Sequence, residues 1–151
     1  MERKAMSEIF FFILGIINSI ILITIFLIRK SNLDRLQRYG KFYFLLVFPA
    51  AVNMFLVFHE NGDTRYVIFL ALFLTFLLIE WLYDYKFKIG FRENWLKNWK
   101  WTLPYLGLYY AMNYGFVVMP WKINITWGII MLCLFVIQII TNIRSHPRVK
   151  S

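Results

Sequence analysis

Residues 9–28 read IFFFILGIINSIILITIFLI, and Arg29-Lys30 follows at once. An uncharged run of about 20 residues, rising 1.5 Å each, matches the ~30 Å hydrocarbon layer of a bilayer. The run therefore predicts a membrane-crossing helix stopped by two cations. A cleavable signal peptide is the rival reading, because Arg3 and Lys4 precede the run. The apolar stretch exceeds the usual ~7–15 residues of such a leader, and no small-residue cleavage site follows it.

Outward from this stretch, comparable runs occupy about 42–58, 66–83, 103–119 and 125–143. The expected fold is all-α: a polytopic membrane protein whose five transmembrane helices form a single domain over 1–151. Composition agrees, since 60% of the 151 residues are hydrophobic and 21% aromatic. Soluble globular chains run nearer ~45–50% apolar. The fourth run is the least apolar, carrying Asn113 and several tyrosines. Thr102 is expected to cap it, Pro104 to sit in its first turn and Pro120 to end it.

Orientation follows from basic residues. Segments 29–41, 86–100 and 144–150 hold 13 of the 17 lysines and arginines. Short loops rich in Lys and Arg stay cytoplasmic, which predicts the N-terminus outside and the C-terminus inside. The fourth run is needed for this separation, because without it the last two basic segments lie on opposite sides. The expected location is a multi-pass position in the cell membrane. The net charge of +9 then reflects loops facing anionic lipid headgroups on the cytoplasmic side, not nucleic-acid binding.

Residues 91–101, FRENWLKNWKW, repeat an aromatic every fourth position at Phe91, Trp95 and Trp99. That spacing predicts a short amphipathic helix lying in the interface between spans three and four, with its indoles at headgroup depth.

Polar residues inside hydrocarbon must be paired or must face water. Counted along their runs, Asn18, Asn53 and Asn113 are each roughly 14–17 Å from a membrane edge, which predicts one common mid-bilayer plane. Interhelical hydrogen bonding is the plain role, at about 0.6–2 kcal/mol per contact. A mid-membrane ligand pocket is the sharper one. Pro49 frees the carbonyl of Leu45 one turn before Asn53, which favours a pocket there. Asn113 shares a face with Tyr109 and Tyr110. Gly107, Ala111 and Gly115 recur every four residues on another face, a row that lets a second helix approach closely.

Glu80 lies about 4 residues inside the cytoplasmic edge of span three, with Asp84, Lys88 and Arg92 following at four-residue spacing. A continued helix pairs Asp84 with Lys88 and leaves Glu80 beside a like charge in hydrocarbon, which favours its protonated form and a proton-handling or ligand-binding role. The plainer reading pairs Glu80 with Lys86, Lys88 or a basic residue of another loop.

Catalytic signatures are sparse. Cys133 is the sole cysteine, so an intrachain disulfide is excluded and a structural zinc cage disfavoured. His59, Glu60 and Asp63 have metal-binding atoms but irregular spacing. No phosphate-binding glycine loop, GxSxG or HExxH occurs. No metal and no cofactor is expected. Three functions remain: a non-enzymatic membrane component that packs with itself or another membrane protein, a small transporter or ligand-binding protein using Glu80, Asp84, Asn18, Asn53, Tyr109 and Asn113, and a lipid-active enzyme using Glu80 and Asp84. The first fits the sequence best.

Overall fold

The computed structural model describes residues 6–92, 94 and 96–145. Six α-helices follow in order: α1 (Met6–Ser31), α2 (Leu33–Tyr39), α3 (Val47–His59), α4 (Thr64–Trp81), α5 (Trp99–Ile123) and α6 (Ile125–Ser145). A 3-10 segment, Gly40–Leu46, joins α2 to α3, and a π-helical turn, Leu82–Lys86, extends α4. Among the described residues there is no strand.

Four stretches are long and apolar enough to cross a membrane: Met6–Ser31, Asp34–His59, Thr64–Lys86 and Ile125–Ser145. The helix α5 has 25 residues, ~37 Å at the α-helical rise, but its tyrosines, tryptophans and prolines make it less apolar than the others.

Local signals explain the boundaries. Asn32 caps α2 by accepting hydrogen bonds from the Asp34 and Arg35 amides, and Asp63 caps α4 by accepting from the Arg65 amide. Pro49 falls in the first turn of α3, where its missing N–H costs nothing. Asn124 alone separates α5 from α6, and its side chain accepts from the Thr126 amide.

Ring contacts fix the direction of each helix. At one end, Phe11 of α1 meets Tyr66 at the start of α4 and Phe116 near the end of α5, both at 5.0 Å between ring centres. Phe12 stacks on Trp127 at the start of α6, 4.3 Å away. At the other end, Phe44 meets Tyr85, and Phe76 meets Tyr105. The helices α3, α4, α5 and α6 therefore alternate in direction, and α1 runs parallel to α6. The helix α5 lies between α4 and α6, and α1 closes the bundle against α3, α5 and α6.

The interior is aromatic and thioether-rich, with Phe11, Phe73, Phe76, Met112, Phe116 and Met131 almost fully buried. Glycines permit close approach at Gly15, Gly115 and Gly128, the last against the Trp121 ring. A Cβ on Gly15 would lie 2.9 Å from both Met131 Cε and Phe116 Cδ1, and one on Gly115 would overlap the Phe69 ring. Outward faces carry large apolar residues, including Phe48, Val52 and Phe55 of α3 and Leu132, Val136 and Ile140 of α6. In water such faces are costly; in lipid they are neutral, because acyl chains are as apolar as the side chains themselves.

Two expectations at the ends of α5 are corrected. The helix begins at Trp99, so Thr102 does not cap it and Pro104 lies beyond the first turn. It also continues past Pro120 to Ile123, because the proline removes only one donor and Asn124 supplies the closing bond to the Pro120 carbonyl. The helix expected over 91–101 is corrected as well. The described residues from Phe91 to Asn98 form turns and a bend, with helix only from Trp99. Phe91 is 2% exposed, turned inward against Tyr83 and Tyr105, and so does not share an interfacial face with Trp99, which is exposed. Trp95 lies outside the described residues.

Candidate functional site at the basic end of the bundle

The densest group of charges lies where α1, α4 and α5 meet the connector 87–98. After the π-helical turn, the chain leaves the helix at Phe87, and Lys88 takes a left-handed backbone conformation with φ of 50°. The reversal stops the stripe Glu80–Asp84–Lys88–Arg92 from continuing along one helix. It sends Arg92 back onto the bundle instead.

Arg92 Nη2 donates to Glu80 Oε1 at 2.9 Å and to the Tyr105 hydroxyl at 3.4 Å. Its Nη1 donates to Asp84 Oδ1. The guanidinium also lies 4.6 Å from the Phe91 ring centre and 5.3 Å from that of Tyr105, a planar cation between π faces. Tyr83 meets Phe91 edge-on and stacks on Tyr105, and Trp101 meets Tyr83 edge-on. Burial works against the charge of Arg92, but Glu80, Tyr105 and Asp84 outweigh it and hold the guanidinium more firmly protonated than a free arginine. Glu80 thus has an ion-pair partner that its own neighbours in sequence do not supply. Its second oxygen, Oε2, is buried without a hydrogen-bond partner.

The three asparagines bond to different partners and not to one another. Asn18 accepts from the Tyr43 hydroxyl at 2.7 Å, and its Nδ2 has no partner. Asn53 reaches the start of α1: its amide donates to the Ser7 carbonyl at 3.0 Å and accepts from the Phe11 amide at 3.2 Å. Asn113 bonds back to the Tyr109 carbonyl at 2.8 Å and accepts from Gln138 at 3.2 Å. Asn53 lies level with Ser7 and Phe11, two turns or more along α1 from Asn18. The Leu45 carbonyl and Asn53 form no joint pocket, since Asn53 turns to α1.

Gln138 is not among the candidates that the sequence singles out. It donates to the Tyr109 hydroxyl at 2.6 Å and links α6 to α5. Its polarity inside an apolar run was the available signal. Spacing puts Arg92 on the Glu80 stripe without showing that it folds back, and no pattern in the sequence singles out Tyr43, Tyr105 or Arg29. Tyr110 does not join Asn113; its ring faces Tyr109 and Phe135, and it is half exposed.

In the small-residue row, Gly115 is buried against α4, Ala111 is half-buried, and Gly107 faces open space. At the opposite end, Glu60 accepts from the Ser7 amide at 3.0 Å. Hydrogen bonds from Ser7 hold its carboxyl below the usual range. His59, Glu60 and Asp63 do not form a metal-binding group among the described residues. Comparison with protein-family models, with curated proteins and with solved structures finds no match to this chain.

Proposed function

We propose that the chain is a five-span membrane protein, N-terminus outside and C-terminus cytoplasmic, acting as a non-catalytic component that associates with a second copy of itself through α5. The topology rests on the alternation of helix direction. A 25-residue α5 lies alongside apolar helices of membrane-crossing length, α4 and α6, and returns the chain to the end from which α6 starts.

The observation that carries the association is the outward face of α5. Leu103, Gly107, Tyr110, Tyr114 and Trp121 lie within about 60° of one another at 100° per residue, and all are exposed. Tyr110 sits at the middle of the helix, 48% exposed, and Tyr114 one turn on, 60% exposed. Tyrosine hydroxyls belong at the membrane interface, and in hydrocarbon they need a partner. A phenol both donates and accepts, so two identical faces related by a two-fold axis satisfy each other, with Gly107 allowing the backbones to close.

Energy transfer between copies labelled with donor and acceptor dyes in lipid vesicles tests the reading. Transfer should exceed the random-collision level and persist when lipid is added. Gly107→Leu should return it to that level without lowering the melting temperature, because a Cβ added at Gly107 meets nothing within 4 Å. Random-collision transfer in the native chain would refute the association.

A further inference from the structure

The charge cluster at the basic end is not closed by its own residues. Arg29, in the last turn of α1, is half-buried, with its guanidinium 5.3 Å from the Phe26 ring centre. It lies within electrostatic reach of Arg92, Tyr105, Glu80 and Asp84. Yet it forms no ion pair among the described residues, because Arg92 takes both carboxylates. Glu80 is 8% exposed and its Oε2 has no donor. One side of the cluster therefore offers five unclaimed N–H groups on a cation, and the other a buried carboxylate oxygen that lacks a proton donor.

We propose that these two groups form a headgroup site for an amine-bearing zwitterionic phospholipid, its phosphate on Arg29 and its primary ammonium on Glu80 Oε2. The inference rests on the five-span reading, which puts the last turn of α1 and the end of α4 at headgroup depth. Charge selects the ligand class. Glu80 and Asp84 balance Arg29 and Arg92, so the cluster is neutral, and a zwitterion preserves that balance where an anionic lipid adds a net charge. The ammonium must carry N–H groups, because the need at Oε2 is for a hydrogen-bond donor. A phosphatidylethanolamine supplies three; a phosphatidylcholine has the same charges and none.

The full-length chain in detergent micelles, given equal amounts of dioleoyl phosphatidylethanolamine, phosphatidylcholine or phosphatidylglycerol, tests this by native mass spectrometry of the bound lipid. Phosphatidylethanolamine should be retained roughly tenfold over each of the others, a difference of the size one charge-assisted hydrogen bond produces. Arg29→Gln should reduce that retention by about the same factor at unchanged melting temperature, since the Arg92 contacts remain. Glu80→Gln should abolish the preference over phosphatidylcholine; where that variant does not fold, Arg29→Gln and the lipid series decide the question. Equal retention of ethanolamine and choline lipids, or no effect of Arg29→Gln, would overturn the site. Competition by soluble O-phosphoethanolamine as strong as by the lipid would overturn its assignment to lipid. A detergent-bound chain without lipid preference removes only this site, whereas a chain that stays dispersed without detergent removes the spanning reading itself.

Discussion

Arg92 carries most of the burden at the basic end, because one guanidinium satisfies a carboxylate on α4, a second on the π-helical turn and a phenol on α5. Removing it leaves Glu80 buried with neither oxygen bonded to Arg92. Arg92→Gln should lower stability by about 3–5 kcal/mol, the usual cost of breaking a buried pair from one side. Adding Glu80→Gln should recover part of that loss, measured as melting temperature in detergent. The ion pair was foreseeable in kind but not in partner. Four-residue spacing pointed to Lys88, and only the reversal at Lys88 reveals why Arg92 wins. At the other end, Glu60 gives a pH dependence of known sign. Its carboxyl is held below the usual range by Ser7, so its contribution is present above the unfolded-state value near ~4.3 and is lost as pH falls through the lower folded value. The protection of the Ser7 amide against hydrogen exchange, relative to its intrinsic rate at each pH, should fall on acidification below about pH 4, and Glu60→Gln should flatten that dependence.

At the level of elements, α5 is the piece that decides the topology, and it is the least apolar of the long helices. Its polar content is not scattered. Asn113 and Tyr109 meet Gln138 of α6, Tyr105 meets Arg92, and Tyr110 with Tyr114 faces outward. A crossing α5 puts Lys97 and Lys122 on opposite sides. In a Cys133→Ser background, Lys97→Cys and Lys122→Cys should label with an impermeant maleimide from opposite faces of sealed vesicles. Labelling from one face would remove the fifth span. Apolar runs located α1, α4 and α6 to within a turn, because hydrophobicity over such lengths depends little on neighbours, but α2 lies in the basic segment 29–41 expected to be a loop. The aromatic repeat at Phe91, Trp95 and Trp99 misled because a four-residue period describes a helix only if the backbone stays helical. Here the rings of Tyr83 and Tyr105 draw Phe91 inward instead.

Over the whole molecule, the long apolar helices are legible in the sequence and the contacts of the interior are not. Length, apolarity and the placement of cations are additive properties that can be read by counting. Which asparagine meets which partner depends on axial offsets of a few ångströms and on side-chain direction, and counting along a run supplies neither. The single-residue turn at Asn124 has a consequence for biosynthesis. A segment as mildly apolar as α5 is a poor candidate to leave the translocation machinery alone, and a one-residue tether delivers the far more apolar α6 immediately behind it. The two would partition into lipid as one hairpin, with Gln138 already positioned to shield the Tyr109 hydroxyl during entry, so that chains truncated before Ile125 should leave the preceding segment stranded at the membrane surface.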